Sequence, residues 1–166
     1  DRIWDSANKL RGNLTASEYQ NVVLGLVFLK YISDCFDKRY NELVEEGEGF
    51  EEDHDEYTAE NVFWVPQDAR WKNIASMAHS PKIGQVIDHA LEEIGKENPK
   101  LKKVMPNNYS RPEIDKIRLG EVVEIFDNMD MHAHGEGIDL FGRVYEYCLQ
   151  NFAAETQSSG GEFYTP

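Results

Sequence analysis

Apolar residues recur along most of this chain at the three-and-four spacing of amphipathic helices, and the breaks in that spacing mark its element boundaries. In residues 2–10, Ile3, Trp4, Ala7 and Leu10 fall on one face, and Gly12-Asn13 ends the run. Thr15 followed by Glu18 is a capping-box pattern, in which each side chain satisfies a backbone N–H of the first turn. It predicts the start of the longest helix, over residues 16–45. Val22, Val23, Leu26, Leu29, Ile32, Phe36, Tyr40 and Leu43 form its main stripe. Val27, Phe28 and Tyr31 add apolar surface on other sides, so the middle of this helix should be buried nearly all round.

Residues 42–60 hold ten acids and no Lys or Arg, with little apolar content. The stretch from Glu45 to Glu60 therefore predicts an exposed loop, in part disordered. Val62, Phe63, Trp64 and Val65, stopped by Pro66, read as an extended segment lining the core, since one isolated strand makes no sheet. "DARWKNIA" predicts a short helix. Ser80 as N-cap and Pro81 in the first turn predict another, with Ile83, Val86, Ile87, Ala90, Leu91 and Ile94 as its stripe and Gly95 as its end. A helical stretch opens at Pro112 and turns Leu119, Val122, Val123 and Phe126 inward. Asp139 caps a final one, with Phe141, Val144, Tyr145, Cys148, Leu149 and Phe152 on one face. The pattern adds up to an all-α fold: a compact bundle of about six helices with one short extended segment.

Composition changes this picture little. A chain of 166 residues, 40% hydrophobic, suits one domain with a real core. Its most apolar block, "VVLGLVFLKYI", is interrupted by Lys30 and is too short for a bilayer span. Cys35 and Cys148 both lie in apolar-periodic segments, far from any metal-type spacing. They read as buried free thiols, consistent with a reducing, cytoplasmic setting. The net charge of −14 repels phosphate backbones. One segment runs against it: residues 96–118 carry seven bases (Lys96, Lys100, Lys102, Lys103, Arg111, Lys116, Arg118) and three acids. Any nucleic-acid contact should favour that segment, although on charge alone these bases read as solvated helix and loop charges.

Candidate chemistry is sparse. Asp130, His132 and His134 cluster in "DMHAHGEG", but they supply too few ligands for zinc and sit among glycines, so the segment reads as a solvated loop and no metal is expected. His54, His79 and His89 are scattered, and His89 reads as a boundary residue of its helix. The two "GEG" sequences do not join a strand to a helix, as a nucleotide-binding loop must. Glu146, beside Tyr145, Tyr147 and Arg143, reads as a structural or interface carboxylate rather than a catalytic one. No complete catalytic site is present.

The C-terminal end is different. Ser158 to Gly161 form a flexible joint, followed by Glu162, Phe163, Tyr164, Thr165 and Pro166. "LRGNLTASEYQNVVLGLVFLKYISDCF", "VFWVPQDARW", "DLFGRVYEYCLQNFA" and "GGEFYTP" occur in the order in which similar stretches occur in the modification subunits of type I restriction–modification systems. Those are DNA adenine-N6 methyltransferases, and the chain resembles their N-terminal helical domain over Ile3 to Pro166. The acidic loop and the segment around Asn108 depart from the pattern.

The resemblance implies a helical domain over residues 1–157. Residues 158–166 would be the linker and the first residues of a Rossmann-like catalytic domain. It also implies a cofactor-binding role for Phe163, Tyr164, Thr165 and Pro166, with Thr165 the contact to S-adenosylmethionine. The rest of that pocket, and the motif that grips a flipped adenine, would follow downstream. The 166 residues alone are expected neither to bind the cofactor nor to methylate. Implied partners are DNA, met through phosphate contacts in the basic segment from Lys96 to Arg118 with Lys102 and Lys103 the first choices, together with a second modification subunit, a specificity subunit and a restriction subunit, with no membrane. The alternative is a free-standing acidic helical protein-interaction module.

Overall fold

The computed structural model describes residues 14–101 and 108–128. Thr15 opens α1 (Ala16–Glu46) with the expected capping box. Its hydroxyl accepts from the Glu18 N–H at 3.2 Å, and the Glu18 carboxylate accepts from the Thr15 N–H at 2.9 Å. Those bonds hold the Glu18 carboxyl below the ordinary carboxylate value. Gly47 closes α1 in the left-handed region, φ +74°, donating to the Leu43 and Val44 carbonyls.

Beyond it the chain does not stay loose. Asp53 caps a short helix, α2 (His54–Thr58), whose Tyr57 is fully buried. The stretch is mostly exposed, as expected, but it is not a plain loop, since it holds this short helix and its buried ring. Tyr57 stacks on Phe36 of α1 at 4.7 Å between ring centroids, and its hydroxyl donates to the Glu51 carbonyl. One aromatic anchor outweighs the surrounding acids, because they keep their carboxylates in water while the ring is buried.

Residues 62–66 run extended without a partner strand, and no strand occurs among the described residues. Trp64 and Val65 line the core as expected. A 3₁₀ turn (Gln67–Ala69) leads into α3 (Trp71–Ser76), then α4 (Ile83–Glu97) and α5 (Lys116–Asp127). α4 packs on the 3₁₀ turn, α3 and α5.

Two boundaries differ from the sequence pattern. Ser80 does not cap α4; its Oγ accepts from the Lys82 N–H in a preceding turn, so Pro81 belongs to that turn. Gly95 does not end α4 but is buried within it. The Asn98 side-chain amide, donating to the Ile94 and Trp64 carbonyls, marks the end instead. Likewise Pro112 starts a turn, and Asp115, accepting from the Ile117 and Arg118 N–H groups, starts α5.

α1 is the spine of the core. Val22, Val23, Leu26, Val27, Leu29, Ile32, Phe36 and Leu43 are all buried, as are Lys30, Ser33 and Asp34 between them. Each large apolar side chain contributes about 1.5–3 kcal/mol by leaving water. Five α-helices lie within the described residues; the helices expected over 2–10 and after Asp139 lie outside them.

Candidate nucleic-acid contact and domain junction

The residues singled out for chemistry fall where the structure is not described. Lys102, Lys103, Phe163, Tyr164, Thr165 and Pro166 lie outside the described residues, as do Asp130, His132, His134, Arg143, Glu146 and Cys148. The remaining bases of the 96–118 segment can be followed one by one. Lys96 pairs with Glu93 at 3.1 Å and Glu92 at 3.5 Å on its own helix. Arg118 pairs with Glu121 at 3.3 Å. The Lys116 ammonium donates to the Arg111 and Ile114 carbonyls, and Arg111 is half-buried. Lys100 is exposed. Most of the described charge in this basic stretch thus serves local structure, and the exposed cation nearest Lys102 and Lys103 in the described chain is Lys100.

The turn that follows is fixed to two helices. Asp88 of α4 accepts from the Tyr109 N–H at 2.7 Å and from the Ser110 N–H and hydroxyl at 3.1 and 3.0 Å. The fully buried Tyr109 hydroxyl donates to the Val22 carbonyl of α1 at 2.8 Å, and burial pushes its pKa well above the ordinary tyrosine value. Tyr109 and Ser110 are therefore held in a rigid frame.

Sequence reasoning missed two polar arrangements. In the first, Arg70 packs against the rings of Phe36, Tyr40 and Trp64 at 4.8, 5.6 and 5.5 Å, while both terminal nitrogens reach the Glu52 carboxylate at 2.9 and 2.8 Å. Those bonds pull the Glu52 carboxyl below its usual value. Arg39 likewise bonds the Glu56 carbonyl and carboxylate, both at 3.0 Å. The two arginines hold the acidic segment against α1. In the second, the buried Lys30 ammonium sits 2.6 Å from Asp34 and 5.1 Å from the Trp71 ring centre. The Trp71 indole N–H donates to Asp127 at 2.8 Å.

The described histidines are surface groups beside carboxylates of other elements: His54 near Glu97 at 3.7 Å, His79 on Glu124 at 2.9 Å, His89 near Asp68 at 3.7 Å. Among the described residues no three or more His, Cys, Asp or Glu side chains converge as metal ligands. Cys35 carries a thiol as expected, but it is half-buried rather than buried and lies beside the Tyr31 hydroxyl. No described helix is long and apolar enough to cross a membrane.

A helical core built on α1, with its extended Trp64 segment, matches a known family. Residues 1–126 match the HsdM N-terminal domain. The chain belongs to that family. Residues 136–166 match a second, the N-6 DNA methylase family. Among curated proteins, this HsdM N-terminal domain is 32% identical to the type I restriction enzyme MjaIX methylase subunit of Methanocaldococcus jannaschii, over all of the chain and 33% of that protein. It is 25% identical to the EcoKI methylase subunit of Escherichia coli, over 99% of the chain and 27% of that protein. The chain thus spans about a third of the length of these relatives. The crystal structure of a type I restriction-modification system methyltransferase subunit from Streptococcus thermophilus shares the fold, with a TM-score of 0.68 and 22% identity over 99% of the chain and 40% of that structure.

Proposed function

We propose that this chain is the N-terminal assembly and DNA-clamping domain of a site-specific DNA adenine-N6 methyltransferase subunit in a type I restriction–modification complex. By itself it transfers no methyl group. The observation that carries this reading is the order of the two family matches: a helical domain over residues 1–126, then the first part of a methylase over 136–166. Methylase subunits of type I restriction enzymes, aligned along the whole chain, support it.

In this reading residues 1–157 form the helical domain and 158–166 enter the catalytic domain. S-adenosylmethionine is the methyl donor of the complete subunit. Phe163, Tyr164, Thr165 and Pro166 supply one rim of its pocket, and the Thr165 hydroxyl and N–H face the donor's carboxylate. One rim is too little to hold the cofactor. Lys102 and Lys103, with Lys100 beside them, meet DNA phosphates, a contact that positions the duplex while a specificity subunit reads its bases. A second modification subunit and a restriction subunit complete the assembly.

Titration of the 166-residue chain tests both contacts. Calorimetry with S-adenosylmethionine gives no saturable heat, whereas micromolar affinity contradicts the reading. DNA binding is weak, insensitive to sequence and steeply salt-dependent, and replacing Lys102 and Lys103 by Ala lowers the salt slope by about 2. An unchanged slope removes those lysines from the interface.

A further inference from the structure

α5 ends on Asp127, and Asp127 is tied back into the core. The Trp71 indole N–H donates to its Oδ1 at 2.8 Å, across 56 residues of sequence. Trp71 is 4% exposed, so its ring has little room to turn. Lys30 lies over that ring at 5.1 Å, and Asp34 fixes Lys30 at 2.6 Å. A continuous chain of contacts, Asp34–Lys30–Trp71–Asp127, therefore runs from the middle of α1 through the start of α3 to the last residue of α5. The Asn128 side chain adds a second tie, donating to the Glu124 carbonyl at 3.0 Å.

Helix ends ordinarily fray, and this one is held twice. Its location gives the hold a purpose. The two family matches leave residues 127–135 between them, and Asp127 is the first of these. An indole N–H needs only one acceptor, which any nearby carbonyl could supply. Here it takes a carboxylate at the first residue past the HsdM N-terminal match, ahead of the methylase match.

We propose that Trp71 and Asp127 are positioning residues that fix the end of α5 to the core built on α1, and so couple the movement of that core to the stretch that leads on to the methylase region. This rests on the functional reading above, because it presumes a methylase domain past the junction. With the bond in place, the last turn of α5 and the core rotate as one body. Without it, Val123 and Phe126 still pack that turn, but the exposed Asp127 is released from the core and whatever follows starts from a looser point, so that fewer molecules present DNA-competent geometry.

The test uses the complete methylase subunit with its specificity subunit. A spin label at Glu92→Cys on the exposed side of α4 is paired with one on the methylase domain, with Cys35 and Cys148 replaced by Ser. Trp71→Phe keeps an aromatic ring but loses the N–H; Asp127→Ala removes the acceptor; Asp127→Asn keeps an acceptor oxygen. Both Trp71→Phe and Asp127→Ala should broaden the inter-label distance distribution and raise KM for DNA roughly tenfold with kcat nearly unchanged, and Asp127→Asn should restore both. Distances unaffected by Trp71→Phe and Asp127→Ala overturn the proposal, even where thermal stability falls. So does an Asp127→Asn variant that behaves like Asp127→Ala. A subunit complex that fails to methylate before any substitution refutes the functional reading instead, and the distance measurement still decides the role of the bond.

Discussion

A Cβ at Gly120 would lie 1.9 Å from the Ala78 carbonyl oxygen, and one at Gly84 would lie 2.3 Å from that of Tyr109. Both glycines are inside helices, where alanine is intrinsically better by about 1 kcal/mol. Here the sign reverses, because the obstruction is backbone and cannot swing aside. Gly84→Ala and Gly120→Ala should each lose about 1–3 kcal/mol in urea unfolding, the usual cost of overpacking; a gain in stability from either would show that the close approach is not maintained in solution. Neither role was legible in the sequence, since a glycine at a helical position looks the same whether it merely weakens the helix or admits a neighbouring chain. The same holds for Lys30. In the sequence it only interrupts an apolar block, whereas in the fold it is buried against Asp34 and Trp71. The ring that covers this buried charge comes from about forty positions further along the chain.

At the scale of elements, composition told of the acidic segment's exposure but not of its anchoring. Ten acids between residues 42 and 60 argued for an exposed loop, yet Tyr57, Arg39 and Arg70 dock it on α1. Tyr57→Ala should cost about 3–5 kcal/mol, as removal of a buried aromatic does. Arg70→Gln should cost about 1.5–3 kcal/mol through the lost charged hydrogen bonds. Urea unfolding followed by tryptophan fluorescence measures both, and a Tyr57→Ala variant as stable as the parent would mean the segment is detached in solution. The Arg70–Glu52 pair also gives a pH dependence. Arg70 holds the Glu52 carboxyl below its ordinary value of 4.5, so its contribution is complete above that pH and fades as pH falls through the lowered value. Elements with a local signature were legible. Thr15 and Glu18 located the start of α1, whose observed span, Ala16–Glu46, lies within a residue of the expectation. The start of α4 was not, because Ser80 and Pro81 suit a turn as well as a helix, and only the packing of the following residues chooses between them.

For the whole molecule, the helical fold and the family could be read from the chain, since four motifs in the right order survive sequence divergence that leaves 32% and 25% identity with relatives. The candidate site could be read only as a set of residues. Phe163, Tyr164, Thr165 and Pro166 and the lysine pair were named from a resemblance, and their geometry lies outside the described residues. The charge distribution sets what the domain can do. At a net −14, broad coating of DNA is unfavourable, and the local pairing of Lys96, Lys116 and Arg118 narrows the accessible positive surface further. Such a surface fits the proposed role, in which the domain would meet DNA at few points in company with other subunits. The most direct test is a transfer assay with radiolabelled S-adenosylmethionine and a duplex carrying the cognate site, comparing the 166-residue chain with the complete subunit bound to its specificity subunit. The account predicts label on adenine N6 from the complex and none from the chain alone; label transferred by the chain itself, or a complex that leaves adenine unmodified, would contradict it.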